Sequence, residues 1–160
     1  MAETNPDTQS PSVAEVTTVI VRGFDHTCWK CRKPMTCVIA VHAEATRRSD
    51  DWVWFEDKHA LSFARDLLLR AGQGQLAATI KERFSKTAGA SYLSNGCPHC
   101  DAIQGDWPLG EEISDYSQSA PLEELPVLAT EKVATPVWRE VTASQNMRRY
   151  GYPMIWEDVH

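Results

Sequence analysis

Four cysteines in two pairs, Cys28-Trp-Lys-Cys31 and Cys97-Pro-His-Cys100, are the residues of this chain best equipped for chemistry. Two Cys-x-x-Cys pairs are the usual way to surround one zinc ion with four thiolates. The two-residue spacer lets the loop curl until both sulfurs of a pair sit ~2.3 Å from a metal, with backbone N–H groups turned towards them. The gap between the pairs far exceeds the about 15–20 residues of a compact zinc ribbon. A ribbon with a strand and one or two helices inserted between its knuckles accommodates that gap. One structural Zn2+ per chain, held by Cys28, Cys31, Cys97 and Cys100, is the expected cofactor.

Two other chemistries compete for these residues. Cys97-Pro-His-Cys100 is letter for letter the active-site motif of DsbA-like thiol–disulfide oxidoreductases, where a helix N-terminus lowers the pKa of the first cysteine. Gly105 and Pro108 follow too soon for such a long helix, no βαβ pattern surrounds the motif, and the first pair would be left without a role. A catalytic zinc needs an open coordination position and a nearby carboxylate. His42-Ala-Glu44 has the His-x-Glu letters of a deaminase, but no Pro precedes Cys97. His26, His42, His59 and His99 read as ordinary histidines because the cysteines already fill a tetrahedron, with His99, inside a knuckle, the one alternative ligand. No phosphate loop, nucleophile elbow or Ser/His/Asp arrangement occurs.

The elements that position the pairs follow from the patterning. Residues 1–14 are polar and aperiodic, a disordered leader by composition. The β-branched run Val16–Phe24 and the run Met35–His42 read as two strands, with the first knuckle at the tip of their hairpin. Cys37 falls inside the second strand and reads as a small buried hydrophobe. Trp52–Phe55 is a short aromatic strand. Asp57 caps a helix from Lys58 to Ala71, with Leu61, Ala64, Leu68 and Ala71 at helical spacing and Gly72-Gln-Gly74 ending it. Leu76, Ile80 and Phe84 predict a second amphipathic helix, followed by a turn and short strand into the second knuckle.

Residues 111–136 are acidic and Pro-containing and read as a linker. Residues 137–160 gather Trp138, Arg139, Arg148, Arg149, Tyr150, Tyr152 and Trp156 into an aromatic C-terminal arm. That leaves 15–110 as the zinc-ribbon domain.

Formal net charge is −6, which argues against general affinity for nucleic acid. Residues 22–48 nonetheless carry six Lys and Arg against Asp25 and Glu44. Lys30, Arg32 and Lys33 have a plain role beside a zinc–tetrathiolate of formal charge −2. Together with Arg47, Arg48 and Lys86 they would alternatively contact phosphates, with Trp29 stacking on a base. No run of the chain approaches the roughly 20 apolar residues of a membrane span. The N-terminus has no signal-peptide pattern, so the expected compartment is the reducing cytoplasm, where Cys pairs bind metal before they form disulfides.

Residues 80–106, through Tyr92-Leu-Ser-Asn-Gly-Cys-Pro-His-Cys-Asp-Ala-Ile-Gln-Gly-Asp106, together with the earlier Cys-x-x-Cys, resemble uncharacterised bacterial zinc-ribbon proteins. The match covers about a third of the chain. This sequence has Asp101 where zinc knuckles commonly place Gly. The resemblance implies a zinc-stabilised cytoplasmic domain and no particular activity; Asn95, Gln104 and Asp106 would support the knuckle backbone or form a functional surface.

The expectation is an α+β fold: a small antiparallel sheet closed by a zinc ribbon, one or two inserted helices and an extended C-terminal arm. Its expected role is non-catalytic protein binding, with a protein partner met by Trp138, Arg139, Arg148, Arg149, Tyr150, Tyr152 and Trp156. A nucleic-acid-binding ribbon using Trp29, Lys30, Arg32 and Lys33 is the runner-up, and a thiol–disulfide oxidoreductase the third class.

Overall fold

The computed structural model describes residues 14–46 and 48–150, the last six as backbone only. Val16–Thr27 (β1) and Pro34–Ala43 (β2) pair as an antiparallel hairpin with the first cysteine knuckle at its tip. Val53–Trp54 (β3), the helix Lys58–Arg70 (α1) and the short helix Gly74–Ala78 (α2) follow. Lys81–Ser85 (β4), Ala90–Gly96 (β5) and Ile103–Gln104 (β6) come next, with the second knuckle between β5 and β6. The helix Asp106–Ser117 (α3), the strand Val127–Ala134 (β7) and the helix Thr135–Tyr150 (α4) complete the described chain.

These elements make an α+β arrangement with two small antiparallel sheets. One has the order β3-β2-β1-β7, the other β4-β5-β6. The larger sheet owes its place to apolar burial. β2 is buried continuously from Cys37 to His42, the pattern of a central strand covered on both faces. α1 lays Ala60, Leu61, Ala64, Leu67 and Leu68 inward, and each fully buried leucine contributes about 1.5–3 kcal/mol. Asp57 caps this helix by accepting from the N–H groups of His59 and Ala60 at 3.0 and 3.2 Å. Gly72, at φ 78°, adopts the left-handed conformation that turns the chain away from the helix end.

Three expectations are corrected. The stretch from Leu76 to Phe84 is not one helix: α2 stops at Ala78 and β4 begins at Lys81. In β4, Arg83 and Ser85 face inward while Phe84 is 63% exposed, so the helical spacing of Leu76, Ile80 and Phe84 is coincidental. The acidic stretch 111–136 is not a linker. It holds most of α3 and all of β7, which pairs with β1 from Val16↔Ala134 to Arg22↔Val127. Nor is the start of the C-terminal segment extended. Through Tyr150 it is helix α4, whose Trp138 and Val141 are buried, with the Trp138 ring 6.2 Å from that of Phe63. Residues 1–13 of the leader and the end of the arm, including Tyr152 and Trp156, lie outside the described residues.

Candidate metal centre

The fold draws Cys28, Cys31, Cys97 and Cys100 together, with all four sulfurs within 4.8 Å of one another. Two approaches run between the pairs: Cys28 to Cys100 at 3.7 Å and Cys31 to Cys97 at 3.6 Å. Four sulfurs at metal–sulfur bonds of about 2.3 Å form a tetrahedron with edges of about 3.8 Å. The arrangement therefore suits a tetrahedral metal–thiolate centre. Cys28 and Cys97 are buried, while Cys31 and Cys100 are half-buried.

Each pair sits on the same local backbone. The N–H of Cys28 donates to the carbonyl of Lys33, and that of Arg32 to Cys28, both at 3.0 Å. In the second loop Cys97 donates to Ala102 at 3.0 Å and Asp101 to Cys97 at 2.9 Å. The N–H groups of Lys30 and His99 point at the sulfurs of Cys28 and Cys97, both at 3.4 Å. Arg32 and Asp101, each just after the second cysteine of its pair, have φ of 63° and 62°. Asp101 thus occupies the turn that a glycine commonly makes.

Hydrogen bonding divides the thiols. At Cys28 burial opposes ionisation, but bonds from the backbone of Cys31 and Lys30 and from the thiols of Cys100 and Cys97 bring its pKa down to about 6. Cys31 has a helpful backbone bond from Lys33, yet burial and its bonds with Cys97, Cys28 and Cys100 raise it to about 11. Four thiols this close cannot ionise independently, and a cation at their centre removes the conflict. Cys37 stays apart from the cluster. It is fully buried, and burial, reinforced by Glu112 and the Cys28 and Cys97 sulfurs, pushes its thiol up to about 12.

The surrounding polar residues hold the two loops against each other. Gln104 donates to the Cys28 sulfur at 3.5 Å and to the Ala102 carbonyl at 3.0 Å, which fixes its amide so that Oε1 faces Nε2 of His26 at 2.8 Å. The other nitrogen of His26 meets the Glu112 carboxylate at 2.5 Å. Asn95, also buried, joins the sheets: its Oδ1 accepts from the N–H of Val38 at 2.8 Å and its Nδ2 donates to the Val38 carbonyl at 2.9 Å. Arg83 lies under the second knuckle, donating to the carbonyls of Thr79 and Ser94 at 2.9 and 3.0 Å and to Asp101 at 2.9 Å. A Cβ on Gly96 would collide with this guanidinium. The Arg83 bond, with Lys81 second, holds the Asp101 carboxyl below its ordinary pKa.

The chain matches no family model, no curated protein and no solved structure. The residues therefore carry the reading alone.

Several sequence candidates part company in the structure. His99 is exposed and bonds the Pro34 carbonyl at 3.3 Å, outside the sulfur cluster. A helix does not follow Cys100: β6 comes first and α3 starts at Asp106. The basic residues do not form one face. Lys30, Arg32 and Lys33 are exposed at the knuckle, whereas Arg48 pairs with Asp50 beyond the far end of β2. A ten-residue strand separates them, about 30 Å at ~3.3 Å per residue. Arg47 lies outside the described residues, as do the side chains of Arg148, Arg149 and Tyr150. Arg139 is exposed and 3.6 Å from Glu15, while Trp138 belongs to the core. Trp29 is 55% exposed, with its indole N–H given to the Ile103 carbonyl at 2.7 Å.

Sequence reasoning missed the parts played by His26, Arg83 and Glu112. His26 and Glu112 meet across 86 residues, and Arg83 reaches Asp101 across 18, so the spacing of neighbours does not mark these parts. Asn95 and Gln104 did stand out in the motif that carries the resemblance.

Proposed function

We propose that this chain is a zinc-stabilised, non-catalytic module that binds a protein partner in a reducing, cytoplasmic setting. The observation that carries the reading is the closed set of four sulfurs, 3.6 and 3.7 Å apart across the knuckles. Four thiolates complete the coordination of zinc and leave no position for a water or substrate. An all-sulfur tetrahedron is also open to iron; a reducing compartment and the paired knuckles favour zinc. When bound, the metal supplies folding energy to a sheet with little apolar core of its own. The resemblance to bacterial zinc-ribbon proteins belongs to the same proposal.

Protein is favoured over nucleic acid as partner for two reasons. The chain is acidic, and the cations that would track a phosphate backbone are split between the two ends of β2. Exposed Trp29 and Trp107 offer instead the aromatic surface typical of protein contacts. Oxidoreductase chemistry is disfavoured because Cys97 lacks the helix N-terminus that would activate it.

Native mass spectrometry of the purified full chain tests the metal, and labelled oligonucleotides at low salt test the partner class. One zinc per chain, no visible absorption and no salt-sensitive oligonucleotide binding are expected. A red iron protein, or a metal-free chain with Cys97 and Cys100 joined in a disulfide, would overturn the zinc assignment. Tight binding of oligonucleotides that weakens steeply with salt would replace the protein partner with nucleic acid.

A further inference from the structure

An unbroken chain of hydrogen bonds ties the sulfur of Cys28 to α3. The Gln104 amide donates to that sulfur at 3.5 Å, its Oε1 meets Nε2 of His26 at 2.8 Å, and Nδ1 of His26 meets the Glu112 carboxylate at 2.5 Å. Most of its length is shut off from water. Cys28 and Gln104 are buried and the His26 side chain is 6% exposed, so only Glu112 reaches the surface. Gln104 ends β6 and α3 begins at Asp106, so Gly105 alone separates the middle of this chain from the helix it reaches.

The helix has few other holds. Among the described residues α3 buries Leu109 and Ile113, and Tyr116 meets Phe24 edge to face with centroids 5.9 Å apart. Asp106 bonds Lys58 at 2.7 Å, and Gly105, at the N-cap, has no side chain to bond the first N–H groups. A cleft of about 710 Å3 lies between the hairpin and the helix, with Phe24, Met35 and Thr36 on one wall and Glu112 and Asp115 on the other. The His26–Glu112 bond crosses it. A helix of 12 residues is marginal in water by itself, so its order depends on these contacts.

Metal–sulfur bonds would fix the place of the Cys28 sulfur, and with it the Gln104 amide that presents its oxygen to His26. Residues that bond a metal ligand from outside typically change metal affinity by about 10–100-fold. Linkage is reciprocal: whatever the metal does for α3, α3 does for the metal.

We propose that Gln104, His26 and Glu112 act as positioning residues that couple the metal centre to α3, so that metal occupancy regulates presentation of the partner-binding surface. Trp29 belongs to the first knuckle and Trp107 to the first turn of α3, and with Tyr92 they line one cleft of about 600 Å3. The two exposed indoles thus stand on the two bodies that the chain joins, and loss of the metal separates them. This regulation rests on the reading of the chain as a zinc-stabilised protein-binding module.

Zinc affinity of the full chain, measured by competition with a chromophoric chelator, tests the coupling from its far end. Glu112→Ala, at an exposed position, should weaken zinc binding about tenfold. Glu111→Ala, exposed on the same helix, should leave it unchanged. His26→Ala with Glu112→Ala should weaken it no more than His26→Ala alone. Hydrogen exchange gives the reciprocal reading: zinc removal should accelerate exchange across residues 106–117 together with the second knuckle. A purely structural Glu112 would loosen α3 and leave the zinc affinity where it was. Unchanged affinity in Glu112→Ala, an equal loss in Glu111→Ala, additive losses in the double variant, or α3 exchange indifferent to zinc would each overturn the proposal. Any of these in a chain that binds one zinc removes the coupling and keeps the binding-module reading, whereas a wild-type chain that takes up no zinc overturns both.

Discussion

The two cysteine knuckles have one backbone and two kinds of support. Both repeat the same hydrogen bonds and the same left-handed residue after the second cysteine. The first is the tip of a hairpin with strands of 12 and 10 residues, embedded in the apolar core. The second ends a sheet whose strands have only 5, 7 and 2 residues, and it is tied down by the side chains of Arg83, Asn95 and Gln104. A chelating loop is thus specified locally, while its rigidity comes from whatever surrounds it: hydrophobic burial in one case, polar clamps and a metal in the other.

Removing the metal should separate the two most sharply. Structural zinc contributes apparent folding energies of about 10–16 kcal/mol in small peptides, more than any single contact here. With a chelator present, hydrogen exchange should accelerate first across residues 81–105, while β1 and β2 away from their tip stay protected. Simultaneous loss of protection in both sheets would break the distinction.

The polar clamp comes next. Asn95→Ala would leave the buried N–H and carbonyl of Val38 without this partner, at about 2–4 kcal/mol. Chemical denaturation of the metal-loaded protein reads the loss directly. A change below about 0.5 kcal/mol, the range of ordinary surface substitutions, would show that the sheets do not depend on Asn95.

The two left-handed residues should then behave differently. Arg32→Gly relieves an unfavourable conformation at an exposed position and should raise stability by about 0.5–1 kcal/mol. Asp101→Gly offers the same relief but takes the carboxylate from Arg83, whose side chain is only 7% exposed, and should leave the protein less stable than the wild type. Equal gains in both variants would mean that the Arg83 contact contributes nothing.

The smallest effect lies in the larger sheet. His42 is buried, stacked on Trp52 with centroids 4.5 Å apart, and accepts from Arg22 at 3.0 Å. Burial lowers its pKa, and the Arg22 charge adds to this against bonds to the Ala43 and Thr46 backbone and the pull of Glu123. As pH falls, the unfolded chain takes up this proton first. The stability linked to His42 is therefore complete above about pH 6.5 and is lost as the pH drops towards the folded value. His42→Gln should flatten the melting temperature between pH 7 and 5 relative to the wild type; an unchanged slope would remove His42 from the acid response.

By itself the sequence determined what is written in short spans. The Cys-x-x-Cys spacing forms the same turn twice, Asp57 caps α1, the β-branched runs make the hairpin, and the apolar neighbours of Cys37 predict its burial. Each follows from groups a few residues apart. Tertiary structure decided the rest. Val127–Ala134 reads as acidic linker until β1, more than 100 residues earlier, supplies the hydrogen bonds that make it a strand. Leu76, Ile80 and Phe84 suggest a helix until pairing with β5 turns Arg83 inward. Trp138 looks like a contact residue until α4 lays it beside Phe63. The cations that cluster in sequence are held apart by a ten-residue strand, while Trp29, Tyr92 and Trp107, scattered in sequence, line one cleft. Periodicity records which face of an element is apolar, but not which distant element covers it, and that pairing is where this chain places its surface.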